Sequence, residues 1–278
     1  MEVQAAEAVL EHVAPWASHV RFVKTGSEAT HAAYRIAKAA HRTRYPDKSR
    51  PFVVMGDWAY HGWHEWCQDD DRTVRIPHNF DFGSLGYFTV YGDRASHTVA
   101  NEAVAAVFIE PHRWETVDVE WLRMVRAWCD RTGALLVFDE MIYGGRWALG
   151  GATEYYGVQP DLACYGKAFG GGAAVAFVVG REALATYGEM VSGTYSGVVT
   201  GLNAVMEGIH TYTTSPIIQT LWRRGKQLQR GLRDALASHG LGDVLGRLEG
   251  MPVHQRIRFP DVAQGFAFAA AMAKRGVL

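Results

Sequence analysis

Three short stretches carry side chains with reactive potential. In PDLACYGKAFGGG, Lys167 stands between an apolar run and three glycines, Gly170, Gly171 and Gly172. A lysine in a crowded apolar turn loses solvation, its pKa falls, and its free amine becomes available for a Schiff base. The opposing reading is a solvated loop lysine, the commoner state of this residue. In ALLVFDEMIYGGRWALGG, Asp139 directly follows another apolar run. A carboxylate there needs a cation or an N–H partner, or burial raises its pKa. An ion pair, a loop cap or a metal would each satisfy it. In FVKTGSEATHAAYRIAKA, Gly26 lets the backbone approach a ligand closely. The free N–H groups and positive dipole end over Ser27–Ala29 favour a phosphate, although strand–Gly–Ser–helix is also an ordinary structural turn.

The stretch HGWHE places His61 and His64 three apart, a spacing that shares a face on a helix. Gly62 stands between them and the zinc pattern H-E-x-x-H is not matched, which disfavours a metal. Tyr60, Trp63 and Trp66 are instead candidates for the wall of a flat ligand pocket. Neither G-x-S-x-G nor G-x-x-x-x-G-K-[ST] occurs, and the triple glycine is not a dinucleotide fingerprint.

These residues all follow runs of strand length. Val20–Val23, Pro51–Met55, Ala103–Ile109, Ala134–Phe138, Leu162–Tyr165 and Ala174–Val179 read as strands. Between them lie segments of helical period. Ser27 opens one through Arg44, with Ala29, Ala33, Ile36, Ala37 and Ala40 on one face. Ser27 is the expected cap and Glu28 an acid in the first turn. Val117–Arg131 is a second helix, Gly197 to about His239 a long helical stretch, and Val253–Phe259 and Val262–Lys274 a closing strand and helix. Strands alternating with helices predict a mainly parallel sheet covered on both faces, with ligands beyond the carboxyl ends of the strands. Lys24–Ser27, Tyr60–Gly62, Glu110, Asp139 and Lys167 all stand at such ends.

The chain has 278 residues, 48% hydrophobic and 21% charged, with a net charge of −1. That is the balance of a globular protein of one large or two modest domains. Near-neutral charge gives no footprint for nucleic acid or an anionic membrane. No apolar run approaches the length of a membrane span. The first 16 residues carry three Glu and no Lys or Arg, which predicts a cytoplasmic protein rather than a secreted one. Cys67, Cys129 and Cys164 read as reduced thiols.

Taken together, TGSEAT with its Ala-rich helix, YHGWHEW, AAVFIEP, LLVFDE, ALGGATEYYGVQPDLACYGKAFGGG and SGTYSG resemble the class III aminotransferases, pyridoxal-phosphate enzymes of the aspartate-aminotransferase fold. The stretch from Trp147 to Gly172 looks closest to the glutamate-1-semialdehyde 2,1-aminomutase branch. The resemblance implies an α/β fold: a mainly parallel sheet sandwiched by helices, the fold type I large domain, with an incomplete small C-terminal α+β part. It implies a cofactor-binding large domain over 1–200, and connecting helices with a partial small domain over 201–278.

The resemblance also implies roles. Lys167 matches the lysine that holds the cofactor covalently, and Asp139 the acid that pairs with the pyridinium nitrogen. Gly26 and Ser27 match the phosphate turn. Tyr60 matches the aromatic residue stacked on the cofactor ring, with His61 its neighbour in that wall. Met141 occupies the position packed on the other ring face, and Glu110 matches the acid of the family's E-P step. Thr194 matches a threonine that reaches the phosphate from a partner subunit, which implies a homodimer with shared sites. The implied function is transfer of an amino group between a small-molecule donor and a carbonyl acceptor, as an aminotransferase or an aminomutase. The alternative is a truncated, non-catalytic subunit or partner-binding module, because the chain is expected to lack parts of the family's N- and C-terminal segments. The stretch Asp93–Glu102 also reads as shortened.

Overall fold

The computed structural model describes residues 1–48, 51–57, 59–68, 71–77, 87–92, 95–100, 103–111, 118–240 and 247–277, with 87–100 as backbone alone. The expected shortening over Asp93–Glu102 falls partly outside these residues, as does Val117. In chain order the elements are α1 (Glu2–Ala8) with a π-helical turn over Val9–Val13, β1 (His19–Val23), α2 (Gly26–Arg44), β2 (Phe52–Gly56), α3 (Glu65–Gln68), β3 (Thr73–Ile76), β4 (Tyr87–Gly92), β5 (Ala95–Ala100) and β6 (Val104–Ile109). There follow α4 (Val119–Thr132), β7 (Leu135–Asp139), α5 (Gly151–Tyr156), β8 (Leu162–Tyr165), a 3-10 turn over Lys167–Gly170, β9 (Ala176–Gly180), α6 (Glu182–Tyr187) and α7 (Val199–Thr214). The chain closes with α8 (Ile217–Ser238), β10 (Arg247–Met251), β11 (His254–Arg258) and α9 (Val262–Ala273).

The chain divides into two compact units, Met1–Pro111 with Val117–Pro216, and His112–Thr116 with Ile217–Leu278. The first holds a seven-stranded sheet in the order β1-β9-β8-β7-β6-β2-β3. From β8 through β3 the neighbours run parallel, and β9 runs antiparallel to both β8 and β1. β1 therefore points the same way as β8, β7, β6 and β2, and the carboxyl ends of these strands share one sheet edge. The fold is the α/β architecture that the strand–helix alternation predicts.

Each face of the sheet is an apolar layer set by the period-two alternation of the strands. Val107, Leu136, Phe138 and Ala163 join one core with residues of α1, α4 and α7. Ala106, Phe108, Val137, Leu162 and Cys164 join the other with the alanine face of α2. All six residues of β6 are buried, as expected for a parallel strand covered on both sides. On α2, Ala29, Ala33, Ile36 and Ala37 are buried as expected, while Ala40 is half-buried.

The structure revises several expectations. The cap of α2 is Thr25, not Ser27: the Thr25 side chain accepts from Glu28 N, and the Glu28 carboxylate accepts from Thr25 N. This capping box satisfies the helix end one residue before the glycine. The helical stretch after Gly197 is two helices, because Pro216 lacks an N–H and holds Ser215 extended, at φ −132° and ψ 148°. The expected lone strand at Val253–Phe259 is the second arm of an antiparallel hairpin, β10 with β11, closed where Met251 pairs with His254. That hairpin, α8 and α9 make up the described part of the second unit, and no residue of α8 or α9 is fully buried.

Candidate active site

Asp139 is the last residue of β7 and only 3% exposed. Its carboxylate is not left bare. His61 Nδ1 lies 2.9 Å from Oδ2 and donates to it, and Met141 N donates to Oδ1 at 3.1 Å. His61 is itself wholly buried, parallel to Trp66 and against Phe108. An ionised carboxylate accepts about four hydrogen bonds, so two occupied positions leave acceptor capacity for a protonated ring nitrogen. The pairing of His61 with Asp139 was not foreseen, because 78 residues separate them in the chain. Burial, and then the charge of Asp139, hold the Cys164 thiol well above its usual range, so this cysteine is a packing residue.

Met141 ties two other segments to this point. A Cβ on Gly26 would lie 2.9 Å from Met141 Sδ, and so would a Cβ on Gly166. The thioether thus packs between the start of α2 and the residue before Lys167. Gly62, at φ +101°, is pressed on Ser27: a Cβ there would lie 2.6 Å from Ser27 Oγ. The Thr30 hydroxyl bridges Ser27 O at 3.0 Å and His61 O at 2.5 Å. These contacts bring Gly26, Ser27, His61, Asp139, Met141 and Gly166 together. Because Thr25 caps the helix, the Ser27 hydroxyl is not spent on capping; of the N–H groups expected to be free over Ser27–Ala29, however, Glu28 N donates to Thr25 Oγ1 and Ala29 N to Thr25 O, which leaves those of Gly26 and Ser27 for a phosphate.

Lys167 follows Gly166 at the mouth of β8. Among the described residues it is the one non-glycine with a positive φ, 45°. Such a backbone costs roughly 1–3 kcal/mol and is kept where the surrounding structure dictates it. Its side chain is exposed, so the chain itself does not supply the desolvation that the sequence reading assumed. The aromatic wall is also revised. Trp66 is 3% exposed and stacks on Tyr34 within the core, whereas Trp63 is 80% and Tyr60 60% exposed. Tyr60 is anchored through its backbone, whose N–H donates to Glu110 Oε2 at 3.4 Å. Thr194 is exposed in a turn before α7, and the described contacts tie it to none of the other site residues. Among the described residues, no three metal-ligating side chains cluster.

The residue that the sequence reading passed over is Glu140. It is fully buried beside Asp139 and accepts from Ala152 N, Thr153 N and the Thr153 hydroxyl. Burial pushes its carboxyl up to about 7 against the pull of these three donors. A second acid after an apolar strand was the available signal. Downstream, the half-buried Arg146 donates to Ile142 O at 2.7 Å, and burial lowers its pKa.

The arrangement suits a flat, protonated heterocycle bearing a phosphate. A buried carboxylate with spare acceptor positions could pair with a ring N–H, a Gly26–Met141–Gly166 cradle admits no extra Cβ, and a helix start not capped by Ser27 could take a phosphate. Comparison with known proteins agrees. The family model Aminotransferase class-III matches residues 92–278. The chain is similar to the FumI protein of Sphingopyxis sp. MTA144, solved in its PLP internal aldimine form, with 27% identity, a TM-score of 0.80, and coverage of 99% of this chain and 67% of that one. An omega-transaminase from Sphaerobacter thermophilus shares the fold at 23% identity and TM-score 0.73, covering 96% and 65%. So does an ornithine aminotransferase from Plasmodium yoelii, at 17% and 0.69, covering 92% and 63%. The chain spans about two thirds of the length of these structures. With a family match over more than half of its length and these contacts at the strand ends, the chain belongs to the class III aminotransferases.

Proposed function

We propose that this chain carries the cofactor centre of a pyridoxal-phosphate enzyme that transfers an amino group between small molecules. The observation that carries this reading is the buried Asp139–His61 pair on the sheet edge from which Lys167 emerges. When bound, the cofactor supplies an electron sink for a carbanion at the substrate carbon. Asp139 holds a proton on the ring nitrogen, because an unpaired buried carboxylate is costly and a cation beside it is favoured. His61 fixes the carboxylate from behind. Ser27 and the Gly26 and Ser27 N–H groups would hold the phosphate, Met141 would pack against the ring, and Tyr60, beside the Glu110 anchor, would cover it. Lys167 Nζ would hold the cofactor covalently and, once free, would serve as the base and acid that moves the proton at the substrate carbon.

The finer reading is open between an aminomutase, on the wording of Trp147–Gly172, and a two-substrate transaminase, which the shortened segments favour at least as much. A homodimer, with Thr194 completing the partner's phosphate site, and a cytoplasmic location belong to the same proposal. Borohydride reduction of the cofactor-treated protein, followed by peptide mapping, tests the core of it. A phosphopyridoxyl group on Lys167 is expected. Label on another lysine, or none, overturns the assignment and leaves the non-catalytic reading in its place.

A further inference from the structure

Glu140 lies next to Asp139 in sequence, yet its side chain serves a different set of partners. Oε2 accepts from Ala152 N at 2.9 Å, and Oε1 accepts from Thr153 N at 2.7 Å and from the Thr153 hydroxyl at 2.6 Å. Its backbone is equally engaged. The N–H donates to Cys164 O on β8 at 2.9 Å, and the carbonyl accepts from Gly144 N at 2.8 Å and Tyr143 N at 3.1 Å. The loop that leaves at Glu140 therefore returns at Ala152 and Thr153 onto the same residue's carboxylate. The closure is tight. Gly151 sits at φ +74°, and a Cβ there would lie 2.2 Å from Glu140 Oε2 and 3.0 Å from Gly144 N. Within the loop Arg146 braces Ile142 O, and Tyr165, the residue before Gly166, donates its hydroxyl to Gly150 O at 3.1 Å.

A fully buried carboxylate with no cation among its described partners is an expensive way to close a loop, since apolar packing or a neutral side chain costs less. What the loop carries explains why the closure must be rigid. Its first residue after Glu140 is Met141, whose N–H holds Asp139 Oδ1 and whose thioether fills the gap between Gly26 and Gly166. We propose that Glu140 is a positioning residue of the cofactor site: by clamping both ends of the 140–153 loop, it keeps Met141 in its slot and Asp139 aligned with His61. The proposal rests on the cofactor reading above and adds a residue that touches neither cofactor nor substrate.

The test measures two properties of the full chain: affinity for added pyridoxal phosphate, and amide hydrogen exchange without it. Glu140→Gln keeps the Oε1 bonds and replaces the acceptor of Ala152 N with a donor. Thr153→Val removes one Oε1 bond from the far end of the loop. Val125→Ala, on the buried face of α4, is the control that lowers stability elsewhere. Glu140→Gln is expected to weaken cofactor binding roughly tenfold, the effect of losing a bond to a charged group, and to speed exchange across 140–153. Thr153→Val moves both readings the same way by less. Val125→Ala lowers the melting temperature and leaves the affinity unchanged, which separates positioning from mere loss of stability. Unchanged exchange in Glu140→Gln and Thr153→Val overturns the clamp, and so does an affinity that falls as much in Val125→Ala. If the parent chain takes up no cofactor, the functional reading fails alone. The exchange comparison then still decides the clamp: faster exchange confined to the loop supports it.

Discussion

Asp139 takes two hydrogen bonds from within the chain, from His61 Nδ1 and from Met141 N–H, and keeps further acceptor positions. Asp139→Asn keeps the shape but presents an amide where a charge is needed. It is expected to retain cofactor while exchange of the substrate α-proton slows roughly a hundredfold, the scale of positioned proton-transfer effects. Proton exchange followed by NMR checks this. At Glu140 burial outweighs the donors. Its folded pKa, about 7, lies above the ordinary 4.5. The folded state therefore binds the extra proton between these values, and Glu140 lowers stability as pH rises through that window, levelling off above it. At about 1.36 kcal/mol per unit the whole effect is roughly 3 kcal/mol. Urea unfolding from pH 4 to 8 should show this downward slope in the parent protein and a flatter profile in Glu140→Gln.

At the scale of elements, the start of α2 separates two tasks that one serine was expected to share. Thr25 and Glu28 close the helix end, and Ser27, pressed against Gly62, is left for the proposed phosphate contact. Thr25→Ala should then lower stability by about 1 kcal/mol, the usual loss of a cap, read as a shift in denaturant midpoint. Gly26→Ala should act on the site more than on the fold. The new methyl meets Met141 Sδ at 2.9 Å, the far part of a flexible side chain that yields at modest cost. Cofactor affinity is expected to fall in Gly26→Ala, and to recover in part when Met141→Ala is added, as equilibrium dialysis would show. Recovery is the informative arm, because a change confined to the backbone of α2 would leave the double variant as weak as the single one.

Across the whole molecule, burial is unevenly shared. The first unit stacks two apolar layers on its sheet, and Leu122, Phe138 and Phe177 are wholly buried there. In the second unit, α8 and α9 bury no residue fully, and Leu228 is 54% exposed. Leu122→Ala should cost about 2–5 kcal/mol, the range for emptying a packed leucine site. Leu228→Ala should stay within about 0.5 kcal/mol, as surface changes do. Thermal unfolding of the two variants side by side measures the contrast. No described helix is long and apolar enough to cross a membrane.

Local patterns determined most of the sheet. Runs such as Val104–Ile109 and Leu162–Tyr165 are apolar on both faces, and such runs have few stable places other than a strand covered on both sides. The order of those runs also put Gly26, Asp139 and Lys167 at strand ends, where parallel sheets bind ligands. The helix break at Ser215–Pro216 was likewise written in the residues, since proline both lacks a donor and restricts its predecessor. Tertiary structure alone decided the partners. His61 reaches Asp139 across 78 residues, Met141 meets Gly26 and Gly166, and Glu140 turns away from the site to close its loop on Thr153. It also decided exposure, placing Trp66 in the core and Trp63 in solvent although both are aromatic and three residues apart. The physical reason is that propensity and period are properties of neighbours in the chain. The energy of a buried charge, or of a gap only a glycine fits, depends on atoms that folding brings together from distant segments.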